Sequence, residues 1–197
     1  GASRVKGPAQ DTIRLFSIKR NRSRSHFREH PFRRIAVSLA LIALQFRYTH
    51  HVLKQNLDGF TEDEGLRTPD AGGNGANWIL GHLLNSRAEL LEVLGRPEPW
   101  HVDRLVAYKR GTHGFGADEA IALPNLLADL DTTQESLLAG FKAFDLARLG
   151  DPAPWSPTEN PKETLGSLFA GLAFHEAYHT GQTGLLRRMV GKQGTIK

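Results

Sequence analysis

Apolar residues recur along this chain at spacings of three and four, the period of a helix whose one side is buried. Leu39, Ile42, Phe46, His50, Leu53 and Leu57 form the first such stripe, predicting a helix from about Ile35 to Asp58. Asp58-Gly59 ends it, and Thr61-Glu62-Asp63-Glu64 reads as a short acidic turn. A second helix follows the glycine-rich stretch Ala71–Gly75, with Asn77 as its expected cap. Its inward stripe is Ile79, His82, Leu83, Ser86, Leu90 and Val93, and Gly95-Arg96-Pro97 stops it. The third starts near Pro124, a residue suited to a first turn, and carries Leu127, Leu130, Gln134, Leu137, Phe141 and Phe144. The fourth opens near Thr164 and closes at Gly191, with Leu168, Leu172, His175, His179, Leu186 and Met189 on one side. No alternating strand pattern or internal repeat competes.

Four amphipathic helices of this length bury their stripes only against one another, so the expected fold is all-α, a four-helix bundle. Nearly 30 residues, Gly95 to Leu123, separate the second helix from the third. At roughly 3.3 Å per extended residue such a crossover returns along a whole helix. It allows an up-down-down-up order without requiring it.

The chain has 197 residues, 40% of them apolar and 23% charged, as expected of a globular protein with a real core. The formal net charge of +4 belongs to the N-terminal region rather than to the fold. Residues 1–35 hold ten Lys or Arg against Asp11 and Glu29, whereas the remainder is mildly acidic. Residues 1–34 therefore read as a basic, flexible extension and 35–197 as the bundle. A transit-like or nucleic-acid-touching tail is the other reading of the extension; the bundle itself is not expected to bind nucleic acid. Arg33-Arg34 before the apolar run Ile35–Phe46 imitates a secretory signal, but no cleavage site follows. That run is also shorter than the ~20 residues needed to span a bilayer. No membrane association and a cytoplasmic location are expected.

Cysteine is absent, which excludes disulfides, thiolate metal sites and a cysteine nucleophile. Histidine is the remaining candidate chemistry. His50, His82, His175 and His179 occupy apolar stripes, where imidazole nitrogens need partners. His175 and His179 are one turn apart and project from one face, a spacing that suits two ligands of one metal. His82, on another helix, is the candidate third ligand. His50 is a candidate for lining the pocket beside them, with Trp78, Tyr48 and Tyr178. His26, His30, His51, His101 and His113 read as solvated.

His175-Glu176-Ala177-Tyr178-His179 also spells H-E-x-x-H, the zinc-protease signature with glutamate as base. Residues 180–197 contain no His, Asp or Glu to serve as its downstream third ligand, and no strands are predicted to hold a peptide. Glu176 stays open between accepting a proton from a ligand of the metal and facing solvent on the helix flank.

Two motifs carry a family likeness. Asn77-Trp-Ile-Leu-Gly-His82, together with His175-Glu-Ala-Tyr-His-Thr-Gly-Gln182 and Leu186-Arg-Arg188, resembles the DinB-like superfamily. That group includes the YfiT-like proteins and is unrelated to the DNA polymerase sharing the name. The likeness covers roughly Leu41 to Gly191. It implies an up-down-down-up bundle, usually a homodimer, with zinc or nickel on three histidines that map to His82, His175 and His179. Family members include metal-dependent transferases and isomerases that use a low-molecular-weight thiol such as bacillithiol or mycothiol. The expected function is therefore a metal-dependent enzyme that transfers such a thiol to a small electrophilic substrate, or hydrolyses it. Glu176, Tyr178 and His50 are its candidate catalytic residues. A metal-binding or metal-free interaction module is the alternative.

Overall fold

The computed structural model describes residues 31–96, 102–112, 116 and 118–196. The expected arm therefore lies largely outside the described residues. Helix α1 (Pro31–Leu57) starts four residues earlier than the stripe predicted. After it come α2 (Glu62–Leu66), α3 (Ala76–Val93), α4 (Leu123–Ala143) and α5 (Leu165–Met189). No strand occurs among the described residues, and the four long helices form the expected all-α bundle.

Helix ends follow local chemistry. The acidic turn is α2, closed by a capping box in which Thr61 and Glu64 exchange side-chain-to-backbone hydrogen bonds. Thr164 caps α5 through the same device with Ser167. Gly95, at φ +69°, ends α3 as the backbone N–H groups of Gly95 and Arg96 donate to Glu92 and Leu91.

Cross-helix contacts fix the topology. Thr49 meets Glu176 and Asn56 meets Thr183, so α1 and α5 run parallel. Arg87 meets Leu130 while Gly140 lies against Leu94, so α3 and α4 are parallel too. Lys54 reaches Asp131 whereas Phe46 packs on Phe141, which makes α1 and α4 antiparallel. The order is up-down-down-up.

Between α3 and α4 the crossover is more than a return path. Its 3-10 helix (Val102–Tyr108) lays fully buried Leu105 and Tyr108 over the outer side of α3. A Cβ at Gly81 would come within 2.1 Å of the Tyr108 ring, so glycine is what lets the crossover approach. Tyr108 Oη–H donates to Asn77 Oδ1 (3.0 Å) and accepts from the Ile121 N–H (2.8 Å). Asn77 Nδ2 in turn donates to the Ile121 carbonyl. Asn77 is thus not the cap of α3; Gly75 holds that position, and Asn77 is buried in the first turn, tying down the crossover.

The apolar core divides into two clusters. Leu53, Leu57, Leu80, Leu83, Leu84 and Leu126 belong to one; Phe46, Leu90, Leu91, Leu137, Phe141 and Phe169 belong to the other. Arg87 lies between them on α3, 1% exposed. Its guanidinium donates from Nε and Nη2 to both oxygens of Glu176 at 2.8 and 2.7 Å. The remaining donors go to the Leu130 carbonyl, Thr133 Oγ1 and Gln134 Oε1 on α4. All five N–H groups of the arginine are used. Thr49 Oγ1–H of α1 donates to Glu176, itself 2% exposed. One polar node therefore joins all four long helices.

Removing one partner of a buried pair leaves the other charge unpaired, at a cost of about 3–5 kcal/mol. Arg87→Ala is expected to lose about that much in urea unfolding. Arg87→Met combined with Glu176→Gln should recover most of it. A loss below about 1 kcal/mol in the single variant would contradict the node's role.

Candidate metal centre

His82, His175 and His179 converge. Each offers one ring nitrogen, and the three atoms lie within 4.8 Å of one another. His82 Nε2 is 3.1 Å from His175 Nε2. The ring centroids are 5.0 Å apart for His82–His175, 5.1 Å for His82–His179 and 4.6 Å for His175–His179. The i, i+4 pair on α5, expected from spacing, and the single histidine on α3, expected from its stripe position and the family likeness, thus come together.

The surroundings prepare these rings as ligands. Nδ1–H of His82 donates to the backbone carbonyl of Tyr108 at 2.9 Å. Because a carbonyl only accepts, the proton must sit on Nδ1, leaving the Nε2 lone pair facing the other histidines. Nδ1–H of His179 donates to Gln182 Oε1 at 2.7 Å, with the same consequence. His175 Nδ1 has no partner among the described residues. Nothing pins its tautomer, and its Nε2 can turn from donor to ligand. Trp78 stacks on His82 at 4.8 Å and donates from Nε1 to Thr112 Oγ1.

Burial keeps the cluster neutral. Desolvation lowers the pKa of all three rings, for His82 against the raising effect of the Tyr108 carbonyl and for His179 against that of Gln182. His175 falls furthest, to about 4, by desolvation and then by His179, His82 and Arg110. Neutral imidazole is the form that binds a metal. The donor set therefore fits a divalent cation.

The triad borders an open cavity of about 710 Å³. Trp78, Trp155 and Tyr178 give it aromatic walls, while Asn85, Glu89, Lys109 and Arg110 give it polar ones. Of the other expected pocket residues, Tyr48 is exposed on α1 and does not line it. His50 sits elsewhere, its Nε2 3.2 Å from Asp131, and burial lowers its pKa. Glu176 is neither on a solvated flank nor in this cavity; both its oxygens belong to the node with Arg87. Sequence reasoning passed over Arg87, although its place amid Leu80, Leu83, Leu84, Leu90 and Leu91 is unusual for an arginine. Gln182 was read as part of a motif without a role, and its position three after His179 was the available signal. Tyr108, in the crossover, carried none.

The site is defined by a parallel-paired helical bundle that brings three imidazoles, a group that could hold a metal ion, to the edge of a cavity. The chain belongs to the DinB superfamily, whose model matches residues 45–183. A solved structure described as the conserved protein of locus from Enterococcus faecalis shares the fold, with a TM-score of 0.61 and 15% identity. The alignment covers 78% of this chain and 97% of that one. No curated protein matches.

Between pH 6.5 and about 4 the unfolded chain takes up a proton that the folded His175 refuses. Folding stability must therefore fall as pH drops through that window. In chelator-treated protein, melting temperature is expected to decline from pH 7 to 4.5, and His175→Gln should flatten the decline. Parallel profiles for the two proteins would show that the ring is not shifted.

Proposed function

We propose that this protein is a divalent-metal-dependent enzyme that transfers a low-molecular-weight thiol to a small electrophilic substrate, or hydrolyses such a substrate. Zinc or nickel would be held by His82, His175 and His179. The observation that carries this reading is a three-ligand cluster facing a cavity. Structural zinc sites are closed by four protein ligands, whereas catalytic ones keep three and an open position. Neither His50 nor Glu176, the other ionisable residues expected at the site, lines the cavity, and they are engaged by Asp131 and Arg87. A divalent cation at an open position lowers the pKa of a coordinated water or thiol and so supplies the nucleophile at neutral pH.

The protein's own residues do the rest. The Tyr108 carbonyl and Gln182 hold two rings in the ligating tautomer. Trp78 stiffens His82, and the aromatic walls give a small organic substrate an apolar seat. The absence of cysteine means that any thiol is brought in by a co-substrate. A free thiol belongs to a reducing compartment, which supports a cytoplasmic location. No helix among the described residues is long and apolar enough to cross a membrane.

Metal analysis should find about one zinc or nickel per chain, lost in His82→Ala and His175→Ala while helicity by circular dichroism is kept. Thiol conjugation to a generic electrophile should fall at least tenfold with chelator. Retained metal with chelator-insensitive rates would favour a binding module over an enzyme.

A homodimer is part of the same proposal. Helix α5 leaves Phe174 (72%), Tyr178 (58%), Leu185 (61%) and Met189 exposed at spacings of four, seven and four. Its neighbour α1 leaves Leu41, Leu44 and Tyr48 exposed. Such an apolar stripe suits a protein interface, and Tyr178 belongs to both the stripe and the cavity wall. Light scattering should give a two-chain mass, reduced to one by Leu185→Arg; a one-chain wild type would refute the dimer.

A further inference from the structure

The cavity beside the histidines carries charges of both signs that the proposed chemistry leaves unused. Arg110 lines it and follows Tyr108 by two residues. Because the Tyr108 carbonyl accepts from His82 Nδ1–H, this places Arg110 at the histidine end, where its Nη1–H donates to the Pro157 carbonyl. Glu89 lines it too, seven residues after His82 on α3 and so two turns farther along the same face. Seven residues rise about 10 Å. Asn85 is buried and donates from Nδ2 to Glu89 Oε1 at 3.1 Å, holding the carboxylate in place. Asn85 Oδ1 has no partner among the described residues, so an acceptor beside that carboxylate is unsatisfied. No ion pair joins Glu89 to a cation among the described residues; Lys109 acts on it only at a distance. Burial pushes the Glu89 carboxyl up against the lowering effect of the Asn85 hydrogen bond, and a cation beside it would favour the carboxylate form.

We infer that the cavity takes a peptide-sized zwitterion, with an anionic group on Arg110 near the histidines and an ammonium on Glu89, which lies about 10 Å along α3 from His82. About three extended residue lengths of 3.3–3.6 Å span that distance, and a cavity of about 710 Å³ accommodates such a molecule. The inference rests on the proposed thiol reading and specifies which thiols fit. A small neutral thiol reaches neither charge, and a thiol bearing one charge reaches only one.

Calorimetric titration of zinc-loaded protein with three probes tests it: glutathione, its N-acetyl derivative and its diethyl ester. Glutathione should bind at least tenfold more tightly than either derivative. Glu89→Gln should erase the preference over the N-acetyl form alone, and Arg110→Gln the preference over the ester alone. Equal affinities for all three probes in the wild type would overturn the charge assignment while leaving the thiol reading intact. Absence of binding by every thiol to protein that holds zinc would overturn the thiol reading and this inference with it. The wild-type comparison decides the matter even where a variant does not fold.

Discussion

The buried pair of Arg87 and Glu176 is the constraint on which this bundle turns. Two side chains with 1% and 3% exposure carry opposite charges in the centre of the core, an arrangement that apolar residues could replace without loss of stability in many proteins. What apolar residues would not supply is direction. A guanidinium with five satisfied donors has one position and one orientation. It fixes the rotation of α3 about its axis, the register of α4 through Leu130, Thr133 and Gln134, and the rotation of α5 through Glu176. Glu176 is adjacent to His175 and three residues before His179. Setting its direction therefore sets theirs. Arg87 is likewise five residues after His82. The node and the triad are two readouts of one helix-to-helix alignment.

A second constraint works from outside the bundle. Packing Tyr108 into the place of a missing Cβ at Gly81 brings the Tyr108 carbonyl within reach of His82 Nδ1. The long connection thus folds onto α3 and selects a tautomer. Asn77 binds both Tyr108 and Ile121, and Glu62 accepts from the Leu123 N–H to hold the start of α4 nearby. Crossover, helix start and His82 are linked by these contacts, so the orientation of the imidazole is secured by backbone that is remote in sequence.

Much of this was legible in the chain. Helix ends were marked where the chemistry is local: Gly95 before Arg96-Pro97, Pro124, Thr164 and Gly191. The histidine pair on α5 was visible because i, i+4 spacing needs no tertiary knowledge. His82 was legible through its stripe and the family motif. Misreadings came where a residue's role depends on a partner elsewhere. Asn77 matched the composition of a cap, but the burial of the first turn of α3 gave it Tyr108 and Ile121 instead. Met189 continued an apolar stripe that runs past the end of the core and stands exposed. Helix α5 packs against both α1 and α3, so it has two inward faces. A single stripe through Leu168, Leu172, His175 and His179 described only one of them, and Glu176 lies on the other.

The letters H-E-x-x-H illustrate how spacing and chemistry separate. On any helix that pattern brings two imidazoles together, because 3.6 residues per turn demand it. The glutamate is about 100° from the first histidine and can serve the same metal only where it faces the same opening. Here an arginine on α3 and a threonine on α1 claim it first. The motif's two histidines keep the role that geometry gives them, while its glutamate changes from base to anchor. The carboxylate that lines the cavity is instead Glu89, outside the motif, and the proposed recognition of a cationic group rests on it.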